Sequence, residues 1–351
     1  MPNIKIVGTG LLGTSLGLAL ARNGVQAWLS DQSKSALRLA VEYGAGAESG
    51  PEPDLVVVCV PPDSTADIVM SELKLHPTAV VTDVASVKAQ IFSEVQKAGL
   101  AQRYIGSHPM AGREKGGPTG ARADLFFARP WVITPSELSD PGQVELIRNV
   151  AILVGALPMQ MSVTEHDEAV ALVSHLPQLV ASALASQLNG GDDQQLALTG
   201  QGLRDTTRIA ASDPDLWVQI VSQNASALLP LVSGVRKDLA LLEEALGDIS
   251  AAGSLAKLHS LLAKGNSGIA RIPGKHGGKF ANYEMLTVMI DDSPGSLAKL
   301  FTFIGEIGVN IEDFKLEHSP GAPIGLVELQ VLPESAQKLS KALVTEGWRL
   351  V

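Results

Sequence analysis

A single cysteine, Cys59, stands in 351 residues, so no intramolecular disulfide can form and a reducing, cytoplasmic setting is expected. Long apolar runs are missing too. Leu55-Val56-Val57-Val58-Cys59-Val60 is far short of the roughly 20 residues that cross a bilayer. The opening Met1-Pro2-Asn3-Ile4-Lys5 goes directly into a strand-like run and has no signal-peptide layout. An excess of positive charge is absent: the formal net charge is −10, which argues against nucleic acid and anionic membranes as partners. An anionic substrate therefore needs a few well-placed cations. What remains is ordinary globular composition, 45% hydrophobic and 18% charged, over a length that fits about two or three domains.

Ile4-Lys5-Ile6-Val7 reads as a buried strand and leads into Gly8-Thr9-Gly10-Leu11-Leu12-Gly13, after which Leu12, Leu16, Ala19 and Leu20 recur at helical spacing. Strand, glycine turn and helix together are the context that makes GxGxxG a dinucleotide fingerprint. Gly8 permits the turn, Gly10 lets the backbone approach a pyrophosphate, and Gly13 lets helix and strand pack. Leu11 and Leu12 open the helix whose N–H groups face the phosphates. A second strand, Gln26 to Ser30, ends at Asp31, about twenty residues on, where a carboxylate can accept from the ribose hydroxyls. That favours NAD over NADP, with Lys34 and Arg38 as the nearby cations that could hold a 2′-phosphate.

Further strands at Asp54 to Val60, Ala79 to Asp83, Tyr104 to Ser107, Trp131 to Thr134 and Leu157 to Met161 alternate with helical stretches. The expectation is an α/β, doubly wound parallel sheet over residues 1–162, with its chemistry just beyond the carboxyl ends of the strands. Two such ends stand out: Thr82-Asp83-Val84-Ala85-Ser86-Val87-Lys88 and Gly106-Ser107-His108-Pro109-Met110-Ala111-Gly112. His108 is the candidate for proton chemistry, because an imidazole titrates near working pH. Ser86 reads equally as the cap of a helix starting at Val87.

These segments resemble the prephenate and arogenate dehydrogenases, as do Thr164-Glu165-His166-Asp167, Ser174-His175-Leu176-Pro177 and Gly202-Leu203-Arg204-Asp205-Thr206-Thr207-Arg208-Ile209-Ala210, followed by Asp213-Pro214 and Trp217. The resemblance runs in order over residues 1 to about 245. It implies oxidative decarboxylation of prephenate to 4-hydroxyphenylpyruvate, or of arogenate to tyrosine, with hydride transfer to NAD. It also implies that His108 takes the proton of the ring hydroxyl and that Ser86 positions His108 and the nicotinamide. Arg208 suits a carboxylate clamp, with Arg204 one helical turn earlier as a second cation. Trp217 and His175 are expected to line the substrate site, and Asp167 is a further candidate. Gln178 departs from the resemblance, standing where many members carry a second histidine.

Residues 163–264 lack strand alternation and read as an all-helical domain. By the same resemblance it pairs with a second copy, giving a homodimer. Glycines and prolines at 265–282 mark a linker. Residues 283–351 then read βαββαβ, a small α+β ferredoxin-like fold, with strands at Tyr283 to Ile290, from Gly308, at Gly325 to Leu332 and at Trp348 to Val351. The Asp-x-Pro-Gly-x-Leu pattern and Gly308-x-Asn310-Ile311 resemble an ACT domain, which implies Asp292, Gly295, Asn310 and Ile311 as an effector site and tyrosine as the effector. Two other readings of the layout have distinct requirements. A β-hydroxyacid dehydrogenase would need a lysine in the helical domain, and none stands between Lys115 and Lys237. A non-catalytic nucleotide and amino-acid sensor would not need His108, Ser86 and Arg208.

Overall fold

A computed structural model describes residues 2–113, 116–273, 283–318 and 324–351. The chain divides into two compact units, residues 1–236 and 237–351.

In the first unit, β1 (Ile4–Val7), α1 (Leu11–Arg22), β2 (Trp28–Ser30), α2 (Lys34–Glu42), β3 (Leu55–Val58), α3 (Pro62–Leu75), β4 (Val80–Asp83) and α4 (Ala89–Lys97) alternate as expected. Their strands pair in parallel in the order β2-β1-β3-β4. Both faces of the sheet are covered. Along β3, Leu55 and Val57 join the core under α1, while Val56 and Val58 join the core under α3 and α4. The period of two is intact even though every residue of β3 is buried, the mark of a strand between two helical layers.

Beyond β4 the sheet departs from the expected parallel arrangement. β5 (Gly106–Pro109) continues it through one parallel bridge, Val81 to Tyr104. β6 (Pro130–Thr134) then runs antiparallel to β5, and β7 (Leu157–Gln160) returns parallel to β6 after α5 (Pro141–Leu153). Among the described residues, the β5–β6 connection holds only a 3₁₀ turn, Pro118–Gly120. Without a crossover helix, the chain comes back alongside β5 in the opposite sense.

The helical region begins at Ser162, whose hydroxyl accepts from Glu165 N (3.2 Å) while Glu165 accepts from Ser162 N (2.8 Å). This capping box starts α6 (Val163–Val170). A π turn, Ala171–His175, leads into α7 (Leu176–Ser186). Pro177 cannot donate to the ladder, and the widened turn ahead of it absorbs that loss. By length and composition Val163–Gly190 could cross a membrane, yet His166, Asp167, His175 and Gln178 along it are buried in the fold. Leu172, Val173, Val180 and Leu184 on the same stretch are exposed. α8 (Asp193–Leu196), α9 (Gln201–Thr207), α10 (Pro214–Gln223), α11 (Ala225–Gly247) and α12 (Ser254–Ile269) follow, and no strand interrupts them. α12 runs to Ile269, so the expected linker begins as helix; residues 274–282 of that linker lie outside the described residues.

The second unit carries β8 (Glu284–Asp291), α13 (Ser296–Glu306), β9 (Asp313–His318), β10 (Ile324–Val331), α14 (Pro333–Thr345) and β11 (Arg349–Leu350). The strands form an antiparallel sheet in the order β11-β8-β10-β9, so the expected βαββαβ order is present. Strict alternation along β10 buries Gly325, Val327, Leu329 and Val331 in the same layer as Leu300, Ile304, Leu339 and Leu343. One boundary differs: the second strand starts at Asp313, not Gly308. Gly308 adopts φ +68° and its N–H closes onto Gly305 O, so the residues after it finish the helix before any ladder begins.

Candidate active site

The glycine turn fits a dinucleotide. Gly8 has φ +96°, and a Cβ there would lie 2.4 Å from Cys59 O. A Cβ on Gly13 would lie 1.9 Å from Gly8 O, so helix and turn touch backbone to backbone. Gly10 is different: a Cβ there meets nothing within 4 Å. The first two glycines serve the fold, whereas the open side of Gly10 faces the space a pyrophosphate needs. Gly10 is also the N-cap of α1, with no side-chain hydrogen bond, so the helix beginning at Leu11 and Leu12 keeps its N-terminal N–H groups for an anion.

Asp31 follows β2 as expected, and part of its carboxylate is already engaged. Oδ2 accepts from Thr9 N and Thr9 Oγ1 (2.8 Å), and Oδ1 accepts from Ser33 N (2.7 Å). With two acceptor directions per oxygen, the free one is on Oδ1. Asp31 thus fastens the glycine turn to β2 and keeps one position for a ribose hydroxyl rather than the expected two.

His108 lies at the carboxyl end of β5, on the same sheet edge as the glycine turn. The surrounding strand ends are locked by a buried network. Asp83, ending β4, accepts from Ala85 N (2.8 Å), from the Lys88 ammonium and from Tyr104 OH (2.6 Å). Lys88 also donates to Ser107 O (2.8 Å), and Ser107 Oγ donates to Asp83 O (2.7 Å) while accepting from Trp131 Nε1 (3.0 Å). Burial pulls the Lys88 ammonium below its ordinary range, and Asp83 works against that pull.

His108 Nδ1 lies 2.9 Å from His166 Nε2, and His166 Nδ1 lies 2.8 Å from Asp167 Oδ1. The carboxylate can only accept, so His166 carries its proton on Nδ1. A neutral His166 therefore presents a lone pair at Nε2, His108 donates to it from Nδ1, and His108 Nε2 is left as a base. Burial, followed by the charges of His166, Lys88 and His175, holds the His108 pKa well below 6.5. The ring is neutral at pH 7, as a proton acceptor must be.

Asp167 reaches this position from α6. Its carboxylate also accepts from Lys88 N (2.9 Å) and Ala89 N (2.8 Å), 79 and 78 residues away. The helix after β4 therefore starts at Ala89 and is capped by Asp167, not by Ser86 as one reading expected. Ser86 is half-buried and makes no side-chain hydrogen bond among the described residues, with His108 or otherwise.

His175 is buried at the end of the π turn, and Trp217 of α10 stands edge-on to it at 5.9 Å between ring centres. The structure brings these two expected site-lining residues into direct contact. Arg204 and Arg208 are exposed on and just after α9, and Arg208 N–H donates to Arg204 O, which sets the two side chains one turn apart. No contact described in the structure joins either arginine to His108. Gln178 is buried and its Nε2 donates to Ser182 Oγ (3.4 Å).

In the second unit, Gly295 adopts φ +90° as the N-cap of α13, Asp292 is exposed in the loop before it, and Asn310 Nδ2 donates to Glu312 Oε1 (2.7 Å). Ile311 is half-buried and packs on the core of that sheet. His166 stands in the sequence only as part of the Thr164-Glu165-His166-Asp167 match, with no role of its own, and Asn224 gives no signal there.

A dinucleotide turn and a neutral histidine base on one sheet edge, completed by buried residues from a helical region, define a nicotinamide-dependent dehydrogenase. Comparison with known proteins makes this specific. The nucleotide-binding domain of prephenate dehydrogenases matches residues 16–159, and their dimerization domain matches residues 162–263. A probable prephenate dehydrogenase of Streptomyces niveus is 33% identical over 99% of both chains. The prephenate dehydrogenase of Bacillus subtilis is 30% identical over 64% of this chain and 65% of its own. Among solved structures, the Aquifex aeolicus prephenate dehydrogenase with hydroxyphenyl propionate and NAD⁺ superposes with a TM-score of 0.66 at 28% identity, over 76% of this chain and 98% of that one. Synechocystis arogenate dehydrogenase gives 0.64 at 32% identity, with the same coverage. The chain belongs to the prephenate dehydrogenase family.

Proposed function

We propose that the chain oxidises prephenate to 4-hydroxyphenylpyruvate and carbon dioxide, with NAD as acceptor. The observation that carries this is the Asp167–His166–His108 chain, which leaves His108 Nε2 as an unprotonated acceptor on the sheet edge that also bears the glycine turn. Bound at that turn, NAD supplies the acceptor for the hydride leaving the ring carbon that bears the hydroxyl. His108 Nε2 takes the hydroxyl proton as the hydride leaves. The positive charge formed on His108 is shared through its Nδ1–H with His166, whose far side rests on the Asp167 carboxylate. Ser86, with no partner of its own among the described residues, offers a hydroxyl to the nicotinamide or the ring. Arg208 clamps a substrate carboxylate bidentately and Arg204 adds a second cation. Loss of carbon dioxide makes the ring aromatic, so the protein has chiefly to orient the ring and manage one proton.

Arogenate is the second reading, supported by the likeness to the Synechocystis enzyme; its product would be tyrosine itself. The layout we infer is a dinucleotide domain over 1–162, a helical domain over 163–264 and an ACT-like domain over 283–351. The exposed Leu172, Val173, Val180 and Leu184, within the match to a dimerization domain, support a homodimer. The βαββαβ unit supports tyrosine binding near Asp292, Gly295, Asn310 and Ile311. The test is formation of reduced nicotinamide with NAD and NADP against prephenate and arogenate. Turnover with NAD and prephenate is expected. Silence in all four combinations, from folded protein that binds NAD, would remove the assignment and favour a sensor.

A further inference from the structure

His175 is buried at the site, as His166 is, and its surroundings fix its proton as firmly as those of His108 do. Asn224, the residue between α10 and α11, is buried, and its Nδ2 donates to the backbone carbonyl of Asp167 (2.8 Å). A carbonyl only accepts, so this contact identifies the amide nitrogen. The same Nδ2 lies 3.1 Å from His175 Nδ1. An amide nitrogen has no lone pair to offer, so Nδ1 must be the acceptor and the proton of the neutral ring sits on Nε2. Among the described residues, that buried Nε2 has no hydrogen-bond partner. A buried donor left unmade costs its full desolvation, roughly 1–3 kcal/mol, so this N–H calls for an acceptor from outside the protein, a ligand or a water. Asn224 joins His175 to Asp167, whose carboxylate holds His166 against His108, which puts both rings at one site, and Trp217 closes one flank.

We infer that Asn224 is a positioning residue that locks His175 as a neutral Nε2–H donor, and that this N–H binds an oxygen of the substrate, either a carboxylate or the 2-oxo group. The inference rests on the reading of the site as one for prephenate or arogenate. Burial holds the ring neutral, with its pKa down to about 4. Protonation at Nδ1 would set two donors against each other at Asn224. Asp167 thus governs both histidines in opposite senses. Its carboxylate, through His166, leaves Nε2 of His108 bare; its carbonyl, through Asn224, leaves Nε2 of His175 protonated. A neutral N–H matches an oxygen and is opposed by an ammonium group, so contact with the 2-oxo group would favour prephenate over arogenate.

Two measurements on the full chain test this. In protein labelled with ¹⁵N-histidine, long-range ¹H–¹⁵N correlations separate the two neutral tautomers and the cation, with the His175 signal identified by its loss in H175F. A neutral Nε2–H ring is expected in the unmodified protein. In N224D, where an acceptor replaces the donor, the ring should gain a proton on Nδ1. A ring protonated on Nδ1 in the unmodified protein overturns the inference, and this readout needs no turnover, so it stands even if the proposed activity fails. In kinetics, H175F should raise the prephenate KM about tenfold to a hundredfold, the loss of a hydrogen bond to a charged or strongly polar acceptor, with kcat nearly unchanged. An equal rise with arogenate places the contact on a carboxylate, and a rise confined to prephenate places it on the 2-oxo group. Unchanged KM for both substrates in folded H175F overturns the oxygen contact.

Discussion

Asp167→Asn is the sharpest perturbation of the proposed base. The carboxylate receives three donors on two oxygens: Lys88 N and His166 Nδ1 on Oδ1, and Ala89 N on Oδ2. An asparagine has one oxygen and one NH₂, so it cannot accept all three. With its oxygen toward Lys88 and His166, the NH₂ faces the Ala89 N–H. Turned over, the NH₂ faces His166 Nδ1, which must then accept. His166 would carry its proton on Nε2 and donate to His108 Nδ1, and the proton of a neutral His108 would sit on the atom that should be the base. The first arrangement loses one cap bond on α4, a cost of about 1 kcal/mol in stability. The second blocks proton transfer, and the comparable change in serine-protease triads lowers kcat about 10⁴-fold. Where the second arrangement prevails, kcat is expected to fall about a hundredfold to ten-thousandfold with prephenate KM within a few-fold, whereas an even mixture only roughly halves it. The assay is steady-state reduction of NAD on protein shown by circular dichroism to be folded. A D167N enzyme within about threefold of the parent kcat, in which ¹⁵N-histidine correlations place the His166 proton on Nε2, would refute the tautomer argument.

Gly10→Ala should leave the melting temperature nearly unchanged and weaken NAD binding, since its Cβ enters open space, whereas Gly13→Ala should fail to fold well because its Cβ meets Gly8 O at 1.9 Å; equal loss of stability in both would remove the distinction. For pH, His108 must be neutral to act and its pKa lies well below 6.5, so kcat/KM should be flat near neutrality and fall only in acid; a midpoint at or above 6.5 contradicts this. His108 and His175 bind protons less readily folded than unfolded. The stability they lend is therefore complete above pH 6.5 and is lost as pH falls toward about 4, which denaturant melts across that range will read. Deleting residues 283–351 should remove any effect of tyrosine and spare activity; inhibition that survives deletion would place tyrosine at the active site.

The nucleotide half was readable because its signals are local: a strand, three glycines and a helix adjoin in the chain, and Gly8 and Gly13 are each required by a contact within the turn or with the next strand. The antiparallel β6 was missed although its cause is local as well, a β5–β6 connection with several glycines and no helical periodicity. Gly308 misled in the other direction, because Val309-Asn310-Ile311 has the composition of a strand while the glycine is still closing α13. His108 could be singled out from its place at a strand end. What makes it a base could not, since its proton is decided by His166 and Asp167, 58 and 59 positions further on. The same holds for Ser86, which was offered a capping role that Asp167 fills from another part of the chain.

That long-range cap has a bearing on how such enzymes can be recombined. Grafting residues 1–162 onto the second domain of a different nicotinamide enzyme would carry over the glycine turn, Ser86 and His108, and dinucleotide affinity should travel with them. The start of α4 would lose its acceptor and His108 its reference proton, because both hang on one carboxylate encoded beyond the crossover. On the proposed mechanism, cofactor binding would stay with the first segment, whereas general-base competence would be the joint property of two that selection for activity must keep together.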